Sequence, residues 1–249
     1  KILGFNRVPS SAQAAPDFVI GAESSSDDSL AAHFLQTNPE PDTDGRGLFS
    51  ISSFDQTLYV WKKRPDQSAA APDHVYHFGE QPKDLAVQGD RLVVAGLMHN
   101  IYVWDGLPFE GEGPSRAIHG RLGSIPLKGI ESIAMDETYF YLLSREGVLN
   151  VWEGIPVDGQ LPLVQVRTET GKLSTDGQTL IIAGKEIWSV PVSDLLAGSS
   201  LRRSSIWGLT GQNHSVVTVE LADGGLFLAD RNQNRVLYWK RMVEALGGG

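Results

Sequence analysis

Short β-favouring runs of three to five residues recur along the whole chain, none long enough to read as an amphipathic helix. Five of them end in tryptophan: Leu58-Tyr59-Val60-Trp61, Ile101-Tyr102-Val103-Trp104, Leu149-Asn150-Val151-Trp152, Glu186-Ile187-Trp188 and Val236-Leu237-Tyr238-Trp239. A second apolar run precedes each, at Leu48 to Ser52, Leu92 to Ala95, Tyr139 to Leu143, Leu180 to Ala183 and Leu226 to Ala229. Each of those follows a tight-turn signal, namely Asp44-Gly45, Gly89-Asp90, Asp136-Glu137, Asp176-Gly177 and Asp223-Gly224. Asp-Gly favours a hairpin turn whose two central residues both take positive φ, so five such signals predict five hairpins.

Beyond each of the first four Trp runs lies a loop and then one more β-rich segment. These are Asp73 to Gly79, Arg116 to Gly120, Leu163 to Val166 and Ser205-Ile206-Trp207-Gly208. A unit therefore reads as inner strand, turn, second strand, short loop, Trp strand, longer loop, outer strand. Four strands in about 45 residues, repeated, predict an all-β fold: a β-propeller of four-stranded antiparallel blades occupying residues 1–249 as one domain. Five turn signals favour five blades. Six is the alternative, because Phe5-Asn6-Arg7-Val8 repeats the Asn234-Arg235-Val236 pattern and reads as a further Trp-type strand. Asp17-Phe18-Val19-Ile20-Gly21 reads as an outer strand without inner strands before it, and the last unit runs out at Gly247-Gly248-Gly249. The N- and C-terminal strands are therefore expected to complete one blade between them. A Trp at one strand position per blade is expected to pack between neighbouring sheets, with Trp207 the most open of the six.

Composition supports the turn-rich class, with 27 Gly, 13 Pro and 41% hydrophobic residues. The formal charge of -9, with no basic stripe, argues against duplex nucleic acid as a partner. Zero cysteines exclude disulfides, thiolate metal sites and a cysteine nucleophile. No apolar run approaches the roughly 20 residues of a membrane helix, so no membrane partner is expected. A soluble monomer is expected, in the cytoplasm or exported with a signal removed; the chain opens on Lys1 rather than Met.

The run from Gly224 through Leu226-Phe227-Leu228-Ala229-Asp230 and Arg231-Asn232-Gln233 to Asn234-Arg235-Val236-Leu237-Tyr238-Trp239 resembles the NHL repeat. Its pattern is Gly, an alternating apolar strand, Ala-Asp, a short polar loop, then Asn-Arg-Val. The copies at Leu92 to Trp104 and Tyr139 to Trp152 keep the apolar skeleton and lose the Ala-Asp and Asn-Arg elements. The likeness extends to a bacterial variant whose Trp strand runs through a proline loop into Pro-Asp, as at Pro16-Asp17 and Pro72-Asp73. The resemblance implies a propeller. NHL-type propellers include protein- and RNA-binding modules, metal-dependent lyases and lactone hydrolases, so it leaves the activity open.

Ligands of propellers gather where second strands turn into third strands. The residues there are Asp55, His99 with Asn100, Arg145 with Glu146, Lys185 with Glu186, and Arg231 with Asn232. A ring of mixed charge at one channel mouth suits a small polar ligand or a protein segment. It opposes a bound dication, because Arg145, Lys185 and Arg231 stand among the few acids. His74 and His77 fall three apart on a strand and so on opposite faces, and no G-x-S-x-G, Walker or zinc motif occurs. Arg235 is expected to serve as a structural hydrogen-bonding residue between blades. The leading expectation is a non-enzymatic binding propeller without a cofactor. Its alternatives are a metal-dependent lyase or lactone-type hydrolase that would need a divalent cation, and a fragment of a longer surface-repeat protein.

Overall fold

The second and third strands of every blade are the runs that the sequence marks. The computed structural model describes residues 1–11, 13–26, 39–198, 202–203, 216–222, 224–233 and 235–241. They form five blades of mostly four-stranded antiparallel sheet, the β-propeller class, with a single short helix among the described residues. The chain divides into two compact units, Lys1–Ala117 and Ile118–Gly249.

In the first unit, the first blade runs Glu40–Asp42, Leu48–Ser52, Thr57–Trp61, His74–His77. The second runs Pro82–Gln88, Arg91–Gly96, Asn100–Asp105, Arg116–His119, its last strand straddling the boundary. In the second unit, the third blade runs Ile130–Met135, Tyr139–Ser144, Val148–Glu153, Val164–Arg167. The fourth runs Gly171–Thr175, Thr179–Gly184, Ile187–Pro191, Arg202–Arg203, and the fifth contributes Val216–Ala222, Gly225–Asp230 and Arg235–Trp239. The expected outer strand at 205–208 with Trp207, the turn residue Asp223, the motif residue Asn234 and the tail 247–249 lie outside the described residues.

The first-to-second turns form where expected but by different chemistry. Gly45, Gly89, Gly177 and Gly224 take positive φ, while Asp44, Asp90, Asp136 and Asp176 do not. In three turns the aspartate carboxylate organises the backbone instead. Asp136 Oδ1 accepts from the N–H of Thr138 and Tyr139 at 2.8 and 2.7 Å. Asp176 and Asp44 do the same for the second and third residues after them. An aspartate that mimics a backbone turn in this way needs no left-handed conformation of its own.

Trp61, Trp104, Trp152 and Trp239 stand at one register position, opposite Leu48, Leu92, Phe140 and Leu226. Trp188 does not: it faces Ile182, and Val190 holds the equivalent place opposite Leu180. A shift of two residues leaves a side chain on the same face of a strand. Trp188 accordingly still packs against the core that Leu149, Val151, Ile182 and Val190 form between the third and fourth blades, but it stays half-buried.

Cores form between blades. Trp104, Tyr102 and Leu92 of the second blade pack on Phe49, Leu58 and Phe78 of the first-blade segment. Leu149 and Val151 meet Leu180 and Val190 across the third and fourth blades, and Ile181 and Ile187 meet Val219 and Leu228 across the fourth and fifth. Trp61 and Trp104 add a polar clamp, since their Nε1 groups donate to the carbonyls of Ala70 and Glu112 at 3.0 and 2.9 Å and so pin the long loop of their own blade. Trp152 Nε1 is buried and has no such acceptor. Trp61→Phe and Trp104→Phe should therefore each cost about 1.5 kcal/mol in urea unfolding, and Trp152→Phe about half that, because only the first two leave a carbonyl unpaired.

Inner strands are tied by side chains that accept from the next blade. Asp42 Oδ2 accepts the N–H of Val87 at 2.7 Å, Ser132 Oγ that of Leu173 at 3.0 Å, and Ser174 Oγ that of Leu221 at 2.9 Å. Such strands are sheet edges whose outward N–H groups need an acceptor.

Phe18–Ile20 is a strand, as expected, and its partner is Ile2–Gly4. Its other edge receives Ser68 Oγ on the Val19 N–H at 3.0 Å and gives the Val19 carbonyl to Ala69 N–H at 2.8 Å, so both edges are occupied within the first unit. The strand before it is Ile2–Gly4 rather than the segment from Phe5 to Val8. This pair repeats the third and fourth strands of the first blade bond for bond. Asp17 N–H donates to Gly4 O as Asp73 N–H does to Val60 O, and the Asp17 and Asp73 carboxylates accept from Asn6 and Lys62 N–H in turn.

Candidate functional site

Eight of the nine residues expected at the ligand face lie in the turns joining second to third strands, and Asn100 is the first residue of its third strand. Asp55, His99 and Asn100 belong to the first unit and the other six to the second. Asp55 is half-buried; its Oδ2 accepts from Tyr59 Oη, while its Oδ1 is enclosed without a hydrogen-bond partner. Burial first, and then the Asp55 carboxylate, push the Tyr59 phenol far above its usual range. His99 is exposed and Asn100 half-buried at the start of its strand. Lys185 is exposed and Glu186 half-buried, in a turn closed by the Gly184 N–H on the Glu186 carbonyl at 2.9 Å. Arg231 and Asn232 are exposed. Their hairpin is fastened by Arg235, whose Nε lies 3.3 Å from the buried Asp230 carboxylate directly across the strand pair. This contact lies within Arg235's own blade. Among the described residues no three His, Asp or Glu side chains are grouped to hold a metal ion.

The structure brings Arg145 and Glu146 to a built cleft. It holds about 220 Å³ and lies on the face of the third blade opposite that packed on the fourth. One wall is the sheet row Leu142, Asn150, Gln165 with Ser144 and Val148; the other is Ile125 to Ile130, the connection that leads into the blade's first strand. Glu146 and Lys128, both exposed, mark its rim with opposite charges. Arg145 folds over Gly129, with its Nε 3.7 Å from Glu131 Oε2.

Asn150 is the polar centre, 1% exposed within a strand of apolar neighbours. Its Oδ1 accepts from Gln165 Nε2 at 2.8 Å, and its Nδ2 donates to the Val148 carbonyl at a long 3.4 Å. Ser144 Oγ accepts from the Val148 N–H at 3.2 Å and keeps its own proton available. A carboxamide can make about four hydrogen bonds, so about half of this one's capacity is left for the cleft.

The wall over the cleft is the hairpin from Arg121–Leu122 to Ile125–Pro126. Gly123 turns it at φ 55, and Ser124 N–H donates to Gln160 O at 2.8 Å, which ties the hairpin to the long loop of the same blade. A Cβ on Gly123 would stand 2.3 Å from that Gln160 oxygen. Gly123→Ala should therefore cost about 2 kcal/mol and speed amide exchange over 121–126 selectively, since both the positive φ and the contact oppose a side chain. The hairpin pattern alone does not reveal this connection. Its signal in the sequence is the length of the connection from Gly120 to Gly129, longer than the stretch from Phe78 to Gln81 that joins the first two blades.

No family model matches the chain, and no curated protein matches it. Among solved structures it is similar to the computationally designed Ika8 protein, at 12% identity and a TM-score of 0.49, over 83% of this chain and 63% of that one. It is also similar to the computationally designed Ika4 protein, at 16% identity and a TM-score of 0.46, over 66% of this chain and 93% of that one.

Proposed function

We propose that this chain is a non-enzymatic binding propeller of NHL-like type whose ligand, a protein segment or a small polar molecule, enters the third-blade cleft. The observation that carries the reading is the Asn150 carboxamide, buried in an otherwise apolar row yet with hydrogen-bonding capacity left over at the cleft. A buried polar group without a full set of partners destabilises a fold and persists where a ligand completes it. The remaining hairpin residues, Asp55, His99, Asn100, Lys185, Glu186, Arg231 and Asn232, would shape surface recognition rather than hold a reacting group. Neither nucleic acid nor membrane is proposed as a partner.

A thermal-shift screen of the intact chain against sugars, metabolites, short peptides and the ions Ca²⁺, Mg²⁺, Mn²⁺ and Zn²⁺ tests this. An organic ligand at about 100 times its Kd should stabilise the protein by about 2.7 kcal/mol, and Asn150→Leu should abolish that shift. A shift produced only by a divalent ion and reversed by EDTA would overturn the reading in favour of a metal-dependent enzyme.

A further inference from the structure

The chemistry of the cleft narrows its ligand further, on the footing of the binding role just proposed. We propose that it takes a segment of extended peptide, with one residue's backbone N–H and C=O met by the Asn150 carboxamide and that residue's apolar side chain seated among Leu127, Ile130, Leu142 and Val148.

Three observations converge on that class. The first is size: about 220 Å³ is below the space of a drug-sized ligand, roughly 300 Å³ and up, and matches a single amino-acid residue. The second is the lining. Ile125, Leu127, Ile130, Leu142 and Val148 make the walls apolar, which suits an aliphatic side chain and leaves most hydroxyls of a sugar unpaired. The third is the pattern of donors and acceptors. In an extended chain the N–H and C=O of one residue point to the same side, and a carboxamide offers one acceptor and one donor to meet them. Gln165 fixes the Asn150 amide by donating to Oδ1, so the side chain is oriented before any ligand arrives. The rim is balanced in charge, Lys128 against Glu146, and Arg145 is turned toward Glu131, so the site is built for a neutral group rather than a phosphate or a cation.

The test uses N-acetyl-leucine N′-methylamide titrated into the intact ¹⁵N-labelled protein, beside the glycine analogue and the ester analogue in which oxygen replaces the leucine N–H. Saturable shifts in the amides of 125–130, 142–150 and 165 are expected for the leucine amide. Affinity should fall roughly tenfold for each analogue and for Asn150→Leu. Because Asn150 is buried, the exposed Gln165→Ala serves as a second variant; it removes one hydrogen bond, so it should weaken binding several-fold while lowering stability by only about 1 kcal/mol, leaving the protein folded. Equal affinity for amide and ester, or no shifts with the leucine amide, would overturn the peptide assignment. If a sugar or metabolite then shifts the same amides, the cleft is still a binding site and only the peptide class fails; if nothing does, the binding role fails with it.

Discussion

Trp104→Ala is expected to destabilise the protein by about 4 kcal/mol. The indole is 1% exposed and lies among aromatic rings, with Tyr76 5.5 Å away edge-on and Phe78 at 6.4 Å. Those two rings come from the first-blade side, so truncation empties the contact between blades rather than the interior of one sheet. It also strands the Glu112 carbonyl. Trp188→Ala is the control: half-buried and two positions out of register, it should cost about 2 kcal/mol. Urea unfolding of the two variants beside the parent chain gives both numbers. Equal losses would mean that register position does not matter to the packing.

The second large effect is a dependence on pH. Asp42 binds two backbone N–H groups, from Thr43 and Val87, yet loss of water around its carboxyl pushes its pKa up to about 7, with Asp84 and Asp44 adding repulsion. A free aspartate ionises near 4, so on going from about pH 4 to about pH 7 the unfolded chain gives up this proton before the folded one does. Stability contributed by the group is full below about pH 4 and is lost as pH rises through about 7. The gap corresponds to about 4 kcal/mol for a fully enclosed carboxyl, and to about 3 kcal/mol here because the residue is half-buried. Asp42→Ser copies the arrangement of Ser174, which ties the fourth blade to the fifth without a charge. The difference in unfolding free energy between about pH 4 and about pH 8 should therefore shrink by about 3 kcal/mol in the variant. An identical pH slope in both proteins would show that Asp42 ionises normally in the fold.

The blades are legible because two local signals repeat together, an apolar run with a turn before it and a Trp run after it. Residue type alone misleads in places. By type Trp188 is the counterpart of the other tryptophans, yet Val190 holds the register, because a two-residue offset preserves the face and so the pattern. The Asp-containing turns fall where the sequence puts them, for a different conformational reason: aspartate acts through its carboxylate, not through a left-handed backbone. The partner of Phe18–Ile20 depends on which of several edges is nearest in space, and a single strand's sequence does not carry that information. The cleft is harder still. The hairpin pattern points to Arg145 and Glu146, but Asn150 sits in an apolar run beside the Trp and Gln165 in an ordinary outer strand. They become a site only when the Ile125 to Ile130 connection folds across them.

The most direct test of the binding cleft is a crystallographic fragment screen of the intact protein with small amides, polyols and aromatic fragments. Amide fragments should collect between Leu127, Leu142 and Val148, each with a hydrogen bond to Asn150. Fragments that gather elsewhere while this cleft stays empty would contradict that expectation.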